Sequence, residues 1–147
     1  MEVWHPEQFA RICPGKNSIV GRERWIESLE EAVSVFGDDH VMTAFVGGAE
    51  LDGDGAFSDP QQALDSAIES GEYLIPRGIQ ALYSLYWRMT GKNRGAEPTY
   101  TLEFFLKLGE ALAEIRQREN RLTNPDFISK RSAYMQLEPD YDAPLRA

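Results

Sequence analysis

The sequence predicts an α/β protein built on parallel strands, and three observations lead there. Short apolar runs rich in β-branched and aromatic residues, such as Val41 to Val46 and Ile79 to Trp87, alternate with longer segments whose apolar residues recur every three or four positions. Single helices separate the strands, which calls for parallel pairing through right-handed crossovers and gives the order βαβαβα. A length of 147 residues with 42% hydrophobic and 11% aromatic content suits one ordinary core. Residues 1–121 therefore read as the domain, and residues 122–147 as a short helix and an acidic tail.

Glu2 to Trp4 reads as the end of a first strand, followed by a brief helix that starts near Pro6 and closes before Pro14-Gly15. From Arg22 to Phe36 the residues Trp25, Ile26, Leu29, Ala32, Val33 and Phe36 fall on one face of a helix that Gly37 terminates. The strand Val41 to Val46 follows, ending in Gly47-Gly48 and an acidic glycine-rich loop. Asp59-Pro60-Gln61-Gln62 then supplies an N-cap, a proline for the first helical position and a capping-box glutamine. Ala63, Leu64, Ala67, Ile68 and Gly71 continue that helix's inner stripe, and Arg77-Gly78 closes it. Ile79 to Trp87 reads as a third strand and Arg88 to Pro98 as a polar loop. A last long helix starts near Thr99 and buries Leu102, Phe105, Leu106, Gly109, Leu112 and Ala113. Beyond Arg121 periodicity fades, and a short helix near Pro125 to Tyr134 precedes the tail.

About three parallel strands are too few to stand alone, because a parallel sheet needs both faces covered and its edges protected. The pattern therefore reads as part of a larger sheet or barrel. Charge excludes one class of partner: 24 acidic against 15 basic residues give a net charge of −9, whereas phosphate binding needs clustered Lys and Arg. No segment resembles a signal peptide or reaches the roughly 18 apolar residues of a membrane span, so a cytoplasmic address is the expectation. The single cysteine, Cys13, and two histidines, His5 and His40, supply no complete metal site. Asp52-Gly53-Asp54-Gly55 begins like a calcium loop, but Ala56 and Ala63 occupy positions where oxygen donors are needed. Cys13 with His5 lacks a third, orienting group, and Cys13 is read as structural. No Ser, His and Asp set and no paired carboxylates stand at spacing that suggests a hydrolase.

Thr43-Ala44-Phe45-Val46-Gly47-Gly48-Ala49-Glu50 resembles the GxIxGxxE element of radical S-adenosylmethionine enzymes, with Gly47 and Glu50 at matching places, Phe45 for isoleucine and Thr43 for the first glycine. The segments EVWHPEQFARICPGK, GRERWIESLEEAVSVFG and HVMTAFVGGAE look like consecutive pieces of the fourth and fifth βα units of the biotin-synthase-like branch. The resemblance runs from about Glu2 to Asn120 and implies a C-terminal half-barrel, a partial βα barrel of about three parallel strands with covering helices. The family's CxxxCxxC segment, which holds the 4Fe-4S cluster, has no counterpart here. The resemblance thus implies a split subunit, a truncated reading frame or a relic, with S-adenosylmethionine bound only in a completed barrel and the cluster carried on the missing half.

By the same resemblance, Phe45 and Val46 would flank an adenine face, Gly47 would admit the ligand close to the backbone, Glu50 would brace the loop or accept from cofactor hydroxyls, and Glu2 would lie near the ribose. Tyr83, Tyr86 and Trp87 could line a substrate wall at the strand's C-terminal edge, where α/β sites gather, or pack as an aromatic cluster. No catalytic and no metal residue is assigned. Two functions follow: a radical-enzyme half, catalytic only with a cluster-bearing N-terminal half, or a noncatalytic α/β interaction module or homo-oligomeric scaffold whose exposed strand edges recruit a partner or a second copy of itself.

Overall fold

The computed structural model describes residues 1–85, 87–90, 95–98 and 101–121. Tyr86, the segment Pro125 to Tyr134 and the acidic tail lie outside the described residues.

The chain order is α1 (Pro6–Ile12), α2 (Pro14–Ile19), α3 (Arg22–Phe36), β1 (Val41–Gly47), a 3₁₀ turn (Ala49–Leu51), α4 (Pro60–Leu74), a second 3₁₀ turn (Ile75–Arg77), β2 (Ile79–Leu85), β3 (Trp87–Thr90), β4 (Gly95–Pro98) and α5 (Leu102–Arg118). The class is mixed α/β. β1 and β2 pair in parallel, from Val41 opposite Ile79 to Gly47 opposite Leu85. β3 and β4 form a separate antiparallel ribbon, with Trp87 opposite Pro98 and Thr90 opposite Gly95.

Local sequence explains most boundaries. The Asp59 side chain accepts the Gln61 N–H at 2.9 Å and caps α4, with Pro60 in the first turn. Thr101 caps α5 by accepting the Phe104 N–H at 3.2 Å. Both use a short side-chain oxygen to satisfy an N–H that has no partner inside the helix. Cys13 closes α1, which ends before Pro14-Gly15 as expected, and also opens α2, so that Pro14 starts a second short helix. Proline is favoured at that first position, where its missing N–H costs nothing.

Two further expectations are corrected. Three parallel strands are not formed among the described residues: Glu2 to Trp4, expected to end a first strand, precedes α1 without strand pairing along its length, the run from Ile79 ends as β2 at Leu85, and the stretch read as a polar loop from Arg88 to Pro98 contributes β3 and β4. The α5 stripe is shifted at one edge: Phe105, Gly109, Leu112 and Ala113 are buried as expected, but Leu102 and Leu106 are exposed and Phe104, Leu108 and Ile115 are buried in addition. In α3, Ile26 is buried and Trp25, Leu29, Ala32 and Val33 pack partly against the core, but Phe36 is exposed at the helix end.

The helices gather on one face of the parallel pair. Val41, Thr43, Phe45 and Gly47 of β1, with Ile79, Ala81 and Tyr83 of β2, point to the buried side, where Tyr83 meets Ser70 of α4 and Gly47 approaches Phe105 of α5. Met42, Ala44 and Val46 alternate to the opposite face and are exposed or half-exposed, as are Leu82 and Ser84, whereas Gln80 at the start of that face is 2% exposed and donates to the Asp39 carboxylate at 3.0 Å. This one-sided covering is what a strand period of two predicts when only one face meets helices.

Candidate functional site

The C-terminal end of β1 is where the sequence places the candidate residues, and its geometry separates them into two groups. Phe45 is fully buried, stacked on Tyr83 with ring centroids 4.9 Å apart and set edge-on to Trp4 at 6.5 Å. The Tyr83 hydroxyl bonds to Ser70 at 2.6 Å, within the α4-covered core, and burial raises its pKa. A Cβ at Gly47 would meet Phe105, Tyr83 and the Ser84 carbonyl at 3.5 Å. The free side of Gly47 therefore faces helices, while Gly48, with φ 86° and ψ 0°, is the left-handed residue that turns the chain. Val46 points the other way, half-buried on the open face, and its N–H donates to the Glu2 carbonyl at 2.7 Å.

The structure thus brings Phe45, Gly47 and Tyr83 together as core, and Val46 with Glu2 at the open side. For Trp87 the backbone alone is described, within β3; Tyr86 lies outside the described residues.

The Glu2 carboxylate accepts the Cys13 thiol at 3.3 Å and pairs with Lys16. Burial pushes its pKa up, but the hydrogen bonds from Lys16 and Cys13 win and hold it below the usual carboxylate range. The same contact works against the thiol: burial, then the Glu2 carboxylate, push Cys13 up to about 11. Glu50 sits in the 3₁₀ turn and is only 3% exposed. Burial raises its carboxyl to about 7, opposed by its own backbone N–H and by Arg11.

Arg11 organises the glycine-rich loop, a role that no sequence pattern marks. Its Nη1 donates to the Asp52 carbonyl at 2.9 Å, its Nη2 to the Glu50 carbonyl at 3.5 Å, and its Nε to Gln8 at 2.6 Å. Gln8 in turn donates to the Gly55 carbonyl at 3.0 Å. The loop carbonyls turn inward onto a guanidinium from α1, and Gly53 and Gly55, both at positive φ, let the backbone wrap it closely. A periodicity argument finds apolar stripes and passes over one arginine that binds backbone oxygens.

No protein-family model and no solved structure matches the chain. Among curated proteins it is similar to a bacteriochlorophyllide c C-7(1)-hydroxylase of Chlorobaculum limnaeum, 25% identical over 138 residues, which is 93% of this chain and 32% of that protein. The chain spans about a third of the length of the curated relative it matches. Among the described residues, no helix is long and apolar enough to cross a membrane, and no group of three or more His, Cys, Asp or Glu side chains could hold a metal ion.

Proposed function

We propose that this chain is a portion of a radical S-adenosylmethionine enzyme that contributes strand ends and part of the inner wall to a barrel, and is catalytic only together with a cluster-bearing portion. The observation that carries the reading is the one-sided parallel pair, with α3, α4 and α5 on one face and Met42, Ala44, Val46, Leu82 and Ser84 open on the other. A parallel pair with an uncovered face is what one arc of a βα barrel would present to the barrel interior. Similarity to the hydroxylase over 93% of the chain supports a radical S-adenosylmethionine relationship.

The residues present do not fit an iron-sulfur cluster. Cluster ligation needs convergent thiolates, and Cys13 is one thiol, held protonated by burial and by Glu2. Toward an adenosyl group the chain offers Val46 as an apolar wall on the open face, beside the Glu2 carbonyl, with the Gly47-Gly48 backbone at the strand end. Phe45 and Tyr83 back this wall from the core side, and Glu50 with Arg11 fixes the loop that leaves it. An enclosing wall of this kind binds, orients and excludes water; the electron donor and the reacting sulfonium chemistry belong to the completing portion.

The test combines this chain with the segments of the Chlorobaculum limnaeum hydroxylase that flank the matched stretch, reconstituted anaerobically with iron and sulfide. This chain treated alone should show no broad cluster absorption, and a stoichiometric 4Fe-4S centre in the monomer would contradict the reading. Calorimetric titration of S-adenosylmethionine should give binding by the combination and not by this chain. Val46→Asp should weaken that binding by about tenfold or more, because a carboxylate then faces an apolar ligand surface. Gly47→Ala, whose added Cβ finds ordinary contact distances of 3.5 Å, should leave affinity near its starting value. A well-formed complex with no affinity for the nucleotide favours the noncatalytic interaction module instead.

A further inference from the structure

The loop from Gly48 to Phe57 carries the chain from β1 toward α4, and side chains of α1 and its N-cap tie it down. Arg11 donates to the carbonyls of Asp52 and Glu50, Gln8 donates to that of Gly55, and the His5 ring stands edge-on to Phe57 with centroids 5.1 Å apart. Within the loop, the Phe57 N–H donates to the Glu50 carbonyl at 2.8 Å and the Ala56 N–H to the Gly53 carbonyl at 3.2 Å. Gly48, Gly53 and Gly55 all sit at positive φ, so the backbone can pivot at three places with little steric hindrance. Bonds of this kind can break without disturbing the β1–β2 ladder.

Glu50 is the buried carboxyl of this loop, whereas Asp52 is half-buried and Asp54 exposed. It accepts from its own backbone N–H and forms no ion pair among the described residues. Arg11, the charged group that α1 brings near it, is committed to loop carbonyls and to Gln8. From β2 comes the Tyr83 hydroxyl, bonded to Ser70 and to the Ala67 carbonyl; α4 buries uncharged side chains, with Asp65, Glu69 and Glu72 exposed. A carboxylate in this setting is poorly compensated, and burial raises the Glu50 carboxyl to about 7. The closed loop therefore binds the proton more tightly than an open one would. Closure is favoured below the ordinary glutamate value of 4.5 and is lost as pH rises through 7.

We propose that the loop from Gly48 to Phe57 is a proton-operated latch on the end of β1: neutral Glu50 holds it closed against α1, and ionised Glu50 turns out to water by rotation at Gly48, Gly53 and Gly55. Opening breaks the bonds from Arg11 and Gln8 to the loop carbonyls and bares the C-terminal end of the strand. The latch needs no ligand and no second chain. It stands or falls apart from the proposed function.

Native-state hydrogen exchange on the whole chain, corrected for the intrinsic effect of pH on amide exchange, tests the latch. Protection of the Phe57 amide should fall at least tenfold from pH 5 to pH 8, and at pH 8 the β1–β2 ladder should stay at least tenfold better protected than Phe57. A smaller fall, or equal protection of loop and ladder, overturns the latch, the second because the chain then opens only as a whole. Glu50→Gln keeps the side chain's shape and should leave Phe57 protected at both pH values; the parent's pH dependence persisting in this variant assigns it to another group and overturns the inference. His5→Asn, which keeps a favoured N-cap, should retain the dependence, and its loss there would place the switch in the imidazole instead. Arg11→Lys keeps the charge without the planar fork and should lower Phe57 protection at pH 5 at least tenfold; a smaller loss means that the clamp does not hold the loop. If Glu50→Gln does not fold, the parent decides alone. Its Glu50 carboxyl carbon, followed by NMR, should titrate over the range in which Phe57 loses protection, and a Glu50 that ionises under a closed loop overturns the latch.

Discussion

Glu50 makes stability depend on pH in a direction opposite to that of an ordinary salt-bridged carboxylate. Its folded pKa of about 7 lies above the ordinary 4.5 of a glutamate, so the folded state binds the proton more tightly. The neutral form's contribution is fully present below pH 4.5 and is lost as pH rises through 7. The whole shift corresponds to about 3 kcal/mol, since each unit is worth about 1.4 kcal/mol. Glu50→Gln should remove this loss, so melting curves of parent and variant should converge near pH 5 and separate by pH 8, with the variant the more stable. Curves that stay parallel across that range would show that the carboxyl is solvated. With the Cys13 thiol at about 11, alkylation by iodoacetamide at pH 8 should run about 100-fold slower than for a free cysteine, and Glu2→Gln should speed it. An unchanged rate in Glu2→Gln leaves burial alone as the cause.

The helices show which local signals carry an element's position and which do not. Arg22 and Phe36 bound α3 as periodicity predicts, and the Asp59-Pro60 start of α4 follows from cap chemistry that needs no tertiary contact. In α5 the stripe through Phe105, Gly109, Leu112 and Ala113 was legible, but its edge was not, because Leu102-Glu103-Phe104-Phe105-Leu106 offers two apolar faces at helical spacing and packing against α4 chooses between them. The β3–β4 ribbon escaped because four-residue strands of mixed polarity give too short a run for a period of two to stand out. Packing between α4 and α5 turns on Gly71, where a Cβ would lie 2.5 Å from Leu112 and 3.1 Å from Ile115. Gly71→Ala should therefore cost about 1–3 kcal/mol despite alanine's better helix propensity, through overpacking. Urea denaturation measures it; a stabilised variant would mean that the two helices separate at little cost.

At the scale of the whole chain, the sequence marked the end of β1 as the place of interest but could not say which way each side chain turns. Phe45 and Val46 are neighbours of similar character, and strand alternation sends one to the core and the other to the open face. That division sets the last prediction. The open face exposes Met42, at 39%, with Ala44 and half of Val46, and water contact with such a surface favours self-association. Sedimentation of the isolated chain at micromolar concentration should show dimers or larger species, or else marginal cooperativity in unfolding. The double change Met42→Glu and Val46→Glu should shift the population to monomer without lowering the melting temperature, because neither side chain supports the helix-covered core. A cooperative monomer in the unaltered chain would mean that the open face is satisfied in isolation, and would favour a complete small α/β domain over one arc of a barrel.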